Sequence, residues 1–189
     1  MINYGVLRFV SNPAFQRHIR RSFLEDLTRY SRDQAEDLVT PFKDLLRMLE
    51  QMRPPGYSLS LKSVQDLHRK HDELVAELNP KSRFKYKDFP VPEPPFSGND
   101  HIKPLKTSLQ LAQEGREQKN CALSYTPLVY RGGVFFYKVQ TPQERATLAI
   151  SRNPADGRYH IKEIKGHDNS EVSRETLLYV QRWLDDSQP

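Results

Sequence analysis

The chain of 189 residues holds one cysteine, Cys121, and a tyrosine, Tyr125, follows it four positions later. A thiol in the first turn of a helix is drawn toward the thiolate by the helix dipole and the unpaired backbone N–H groups, and Lys119 two residues earlier adds to that field. A thiolate so held is a nucleophile, whereas the same cysteine in apolar surroundings is a small packing residue. Tyr125 is a partner for it or an ordinary half-buried aromatic. Asp168-Asn169, two residues after Gly166, form a loop in which Asn169 serves either a site or a turn and helix cap. Glu114 and Glu144 have the chemistry of an acid-base pair, but nothing in the sequence places them together. The catalytic set is therefore Cys121, Tyr125 and Asn169, and it is one of several readings.

A second kind of chemistry lies in Lys81-Ser82-Arg83-Phe84-Lys85-Tyr86-Lys87-Asp88-Phe89. An extended backbone puts Lys81, Arg83, Lys85 and Lys87 along one edge and Phe84 and Tyr86 opposite. Cations on a phosphate track with aromatics that stack on bases hold single strands. The plain alternative is a basic connector whose aromatics dock on the protein. Arg17, Arg20 and Arg21, on the polar side of an N-terminal helix, enlarge the cationic set. His68 and His71 lie three apart on a helix, without a Cys-x-x-Cys or His-Glu-x-x-His pattern, so no metal is expected. No phosphate-binding glycine loop is present, so no nucleotide or other cofactor is expected.

These residues need elements to position them. Asn12-Pro13 opens a helical pattern in which Phe15, Ile19, Phe23, Leu27 and Tyr30 share a face. Thr40-Pro41 opens a second helix, ended by Pro54-Pro55-Gly56, and a third spans about residues 61–78. Residues 2–10 fit an edge strand or a docked arm. Six prolines between 80 and 104 mark residues 80–106 as an extended connector. Thr107 and Gln110 form a capping box for the next helix, which turns Leu109 and Ala112 inward and ends at Gly115. Residues 116–119 then read as a polar loop and Asn120 as the cap of a short turn begun by Cys121. Strands follow at 133–140, 144–151 and about 158–165. In the second, Ala146, Leu148 and Ile150 alternate with Arg145, Thr147 and Ser151, one face packed and the other wet. A last helix, about 171–185, presents Leu177, Val180, Trp183 and Leu184. The expectation is an α+β protein: a helical region over 1–79, the connector, and a compact part over 107–189 with a three-stranded antiparallel sheet packed by helices.

Composition narrows the partners. A net charge of +5 and a pI near 9.3 favour nucleic acid, DNA or RNA, then an acidic protein subunit. One cysteine makes no internal disulfide, the first thirty residues lack the apolar run of a signal peptide, and no window is apolar enough to span a membrane. A cytoplasmic protein without a membrane partner is expected.

Glu114-Gly115-Arg116, Cys121 with Tyr125, Glu144-Arg145-Ala146-Thr147-Leu148, Gly166 with Asn169, and Arg182-Trp183-Leu184 occur in the order found in the PcfJ-like proteins of bacterial plasmids and phages. Residues 107–184 resemble that family best, and the upstream helices, including 44–48 and 66–72, resemble its helical portion more loosely. The family's histidine before the cysteine is Asn120 here, which weakens a Cys-His reading because an amide does not exchange protons near neutral pH. The resemblance implies a mobile-element, phage or defence setting. Three functions stay open: a nucleic-acid-associated accessory binding or assembly protein, an enzyme using Cys121, and a protein-binding subunit of a larger complex.

Overall fold

The computed structural model of the chain describes residues 4–54, 56–79, 88 and 90–189. They fall into two units, Met1–Leu78 and Asn79–Pro189. The first is helical, with α1 (Tyr4–Val10), α2 (Pro13–Gln16), α3 (Arg21–Leu27), α4 (Arg32–Asp37), α5 (Val39–Met52) and α6 (Val64–Leu78). Phe9, Phe15, Phe23 and Phe42 meet in its core with ring centroids 4.5 to 6.2 Å apart, in the tilted and edge-on arrangements that aromatic quadrupoles favour. Tyr4–Val10 is thus not an edge strand: α1 is a helix that buries Phe9. Asn12 caps α2, its side chain accepting from Ala14 N at 3.0 Å.

The spacing from Phe15 to Tyr30 suggests one helix, but the chain breaks between α2 and α3. The cause is tertiary. Leu61 N donates to His18 O at 2.9 Å, and Arg20 N donates to Leu61 O at 2.8 Å. This parallel bridge engages two backbone groups that a continuous helix would need. It also explains why α6 begins at Val64 and not at Leu61.

In the second unit β1 (Ile102–Pro104), β2 (Phe135–Gln140), β3 (Arg145–Arg152) and β4 (Tyr159–Lys165) form an antiparallel sheet in the order β1-β2-β3-β4. Helices α7 (Ser108–Gln118), α8 (Thr126–Tyr130) and α9 (Arg174–Ser187) surround it, with 3-10 turns at Ala122–Tyr125 and His167–Asn169. The chain is α+β, and the expected three strands are corrected to four among the described residues. The added strand hides in the proline-rich stretch. Pro104 is tolerated there because an edge strand pairs on one side only.

One face of the sheet packs Tyr137, Val139, Leu148 and Ile150 against Val180, Trp183 and Leu184 of α9. The other face is not wet as the alternation suggested. Thr147 and Ala149 are buried, because α7 and the turn after it lie over β3. Among the described residues no helix is long and apolar enough to cross a membrane.

Candidate functional site

Thr107 starts α7 by accepting from Gln110 N at 3.2 Å, while Gln110 Oε1 accepts from Lys106 N at 2.6 Å instead of completing the box with Thr107. Inside the helix Ala112 is buried as expected, while Leu109 points outward and Leu111 takes the inner position. The helix does not end at Gly115. It runs on to Gln118 and closes at Lys119, whose φ of 49° is left-handed. Gly115 serves close packing instead, since a Cβ there would lie 3.0 Å from Asn79 Oδ1.

The added turn brings a second carboxylate, Glu117, to β3 beside Glu114. Arg145 Nη2 donates to Glu114 Oε2 at 2.7 Å and to Glu117 Oε2 at 2.5 Å. Thr147 Oγ1 donates to Glu114 Oε1 at 2.7 Å, and Asn120 Nδ2 donates to Thr147 Oγ1 at 2.9 Å. Glu114 is 2 % exposed, so this chain of bonds replaces the water that its charge has lost. Hydrogen bonds from Gln113 first, then from Arg145, hold Glu117 below the usual carboxylate range. Burial pulls Arg145 down, but its bonds to Glu117 and Glu114 outweigh that and leave it more strongly basic than a free arginine. Glu144 is not part of this network. It accepts from Ser173 N at 2.9 Å and from the Ser173 hydroxyl, which lowers its pKa.

Asn120 is 3 % exposed and fully used. Besides Thr147 its Oδ1 accepts from Ala122 N at 3.0 Å, across Cys121, which is itself the cap of the 3-10 turn in place of the expected Asn120, and its carbonyl accepts from Asn79 Nδ2 at 2.9 Å. Cys121 follows, 3 % exposed, its carbonyl accepting from Ser124 N at 2.9 Å and Ser124 Oγ at 2.6 Å. The turn it introduces is four residues long and sums far less dipole than a full helix. Tyr125 lies edge-on to Phe136 at 5.3 Å and donates to Glu163 Oε2 at 3.1 Å.

Cys121, Thr147, Glu163, Lys165 and Asn169 line one cleft. Its volume is about 10 Å³, room for one water and no substrate. Cys121 and Asn169 thus share this cleft, Tyr125 reaches only its wall residue Glu163, and the thiol is sealed. Lys119, Asp168 and Asn169, at φ 49°, 55° and 56°, are the non-glycine residues in left-handed backbone among those described. All three border this region, Lys119 Nζ lying 3.6 Å from Asp168 Oδ2. Such conformations persist where surrounding bonds hold them, as Asp and Asn tolerate better than most.

The cationic candidates divide. Lys81, Arg83, Phe84, Lys85, Tyr86 and Lys87 lie outside the described residues. Arg17, Arg20 and Arg21 are exposed but do not form one helix face, because they span the break between α2 and α3. Arg20 Nε donates to Ser60 Oγ at 2.7 Å, and Arg21 pairs with Glu25 at 2.9 Å. His71 is buried in the α6 packing face and His68 stays on its outer side.

One cationic feature escaped sequence reasoning. The sheet register sets Lys103 directly opposite Lys138 and continues the row through Thr147 to Lys165. Like charges directly opposite on one face repel. Lys165 is paired with Glu171, and Lys138 feels Glu117, but Lys103 is exposed with no ion pair among the described residues. Only the strand pairing could reveal this, since Lys103 sat in a presumed connector. Compared with models of known protein families, with curated proteins and with solved structures, the chain matches none.

Proposed function

We propose that this chain is a nucleic-acid-associated accessory binding or assembly protein that holds phosphate and turns over no substrate. The observation that carries the reading is the Lys103–Lys138 pair, two cations placed side by side by backbone register at the edge of the sheet. A phosphate between them turns repulsion into attraction and releases counterions. In the sequence, Lys81, Arg83, Lys85 and Lys87 supply four more cations shortly before this strand. The resemblance of residues 107–184 to PcfJ-like proteins supplies the setting: a bacterial plasmid, phage or defence system. Anisotropy titrations of labelled single- and double-stranded DNA and RNA test the reading at low salt. Binding that weakens on Lys103→Ala/Lys138→Ala supports it, and no binding to any of the four probes ends it.

The enzyme reading has its own observation, the meeting of Cys121 and Asn169 at one cleft with Tyr125 bonded to its wall. Burial of the thiol and the full engagement of Asn120 count against it. Rapid alkylation of native Cys121 near pH 7 reverses that preference.

A further inference from the structure

We infer that the concavity between α9 and the β2–β3 turn is a docking site for an extended segment of a partner protein, one carrying a carboxylate beside a branched apolar side chain. Glu175, Leu178, Tyr179 and Arg182 recur at i, i+3, i+4 and i+7 and so share one face of α9. Pro142 and Gln143 of the turn and His101 before β1 form the facing wall of a concavity of about 450 Å³. That is within the range that holds a small ligand or a few residues.

The chemistry is ordered along the helix. Arg182 stands at one end, exposed and without an ion pair among the described residues. Leu178 follows at 53 % exposure, and Leu177 beside it, which periodicity had assigned to the core, is 41 % exposed. Glu175 closes the other end, 3.5 Å from Gln143 Nε2. Seven helical residues cover about 10 Å of axis, the length of about three residues of extended chain.

The facing wall is already in place. His101 Nδ1 lies 2.9 Å from Gln140 O and donates to that carbonyl, which fixes the ring against the sheet edge. The ring stands edge-on to Tyr179 at 6.0 Å, and Asn99 Nδ2 donates to the Tyr179 hydroxyl at 3.2 Å. A ligand therefore meets a guanidinium, an apolar centre and a carboxylate in that order. Exposed leucines give nothing to a phosphate backbone and Glu175 repels it, so charge and polarity select a peptide. Single exposed leucines are ordinary; Leu178 between Glu175 and an Arg182 with no ion pair among the described residues, on one helix face lining a concavity, gives this site a direction.

The test uses the full chain labelled with ¹⁵N and a six-residue peptide bearing one leucine followed by one aspartate in a glycine–serine frame. Its asparagine counterpart and a thymidine oligonucleotide serve as the other probes. The aspartate peptide is expected to shift the amides of Gln143, Leu178, Tyr179 and Arg182 saturably, with Kd below about 1 mM. The asparagine peptide binds about fivefold more weakly, as for a partly exposed charge pair. Arg182→Ala abolishes that difference, and Leu178→Ser weakens both peptides. Both substituted side chains are exposed, and an unchanged Trp183 emission spectrum confirms that each variant is folded. Absence of saturable shifts, equal binding of the two peptides, or the same resonances moving with the oligonucleotide overturns the inference. The lysine pair on the sheet plays no part in these outcomes, so failure here leaves the nucleic-acid reading standing.

Discussion

Replacing Arg145 by methionine tests whether the buried polar network supports the second unit. Glu114 is 2 % exposed, and its two oxygens are satisfied by Thr147 and Arg145. Methionine keeps most of the aliphatic stem and removes the charge, leaving one carboxylate oxygen buried and unpaired. Breaking a buried ion pair in this way costs about 3–5 kcal/mol. The arginine side chain is 26 % exposed, so water partly replaces it and the lower end, about 3 kcal/mol, is expected. The Glu114→Gln/Arg145→Met double variant removes the stranded charge and should recover at least about 1 kcal/mol of that loss. Urea unfolding followed by tryptophan emission measures both, because Trp183 is the only tryptophan and lies in the core of this unit. A loss below about 0.5 kcal/mol for Arg145→Met, or strictly additive effects in the double variant, would show that the network contributes no coupling.

Two further predictions concern single side chains. Cys121→Ser should cost about 1–3 kcal/mol because a buried hydroxyl loses more hydration than a thiol does, while the folded fraction binds nucleic acid like the parent; a stable variant that no longer binds contradicts the packing role. His18 should make stability fall in mild acid. Burial, aided by Arg17, holds its pKa below the ordinary 6.5, and Nδ1 accepts from Leu59 N at 3.1 Å. The unfolded chain therefore takes up the proton first, so stability is full above about pH 6.5 and falls as pH drops toward the folded-state value. Urea midpoints between pH 5 and 8 for the parent and His18→Asn check this, and an equal acid loss in the variant refutes it.

Elements with sustained periodicity were legible in the sequence: α5, α6 and α9 by helical spacing, β2 to β4 by alternation and turns. What escaped was set by contacts distant in sequence. No local signal tells that Leu61 will take the backbone groups of His18 and Arg20, which splits α2 from α3. Polar residues 116–119 read as loop because their partner, Arg145, lies about thirty residues away; once it is in place, Glu117 has reason to be helical. Leu177 followed the core spacing of α9 yet faces outward, since the sheet beneath is filled by Val180, Trp183 and Leu184. At the site, Cys121, Tyr125 and Asn169 were grouped from the sequence; Cys121 and Asn169 line one cleft and Tyr125 bonds to Glu163 of its wall, while the sealing of the thiol depends on α7 lying over β3. The Lys103–Lys138 pair depended on a strand that the prolines concealed.

The salt dependence of nucleic-acid binding tests the proposed function most directly. Each phosphate contact contributes about 0.7 to 0.9 to the slope of log Kobs against log salt concentration, so Lys103→Ala/Lys138→Ala, which removes the one phosphate site between them, should flatten the slope by about 0.7 to 0.9. Parallel slopes for parent and variant, or no binding of the parent to any DNA or RNA at low salt, would contradict it.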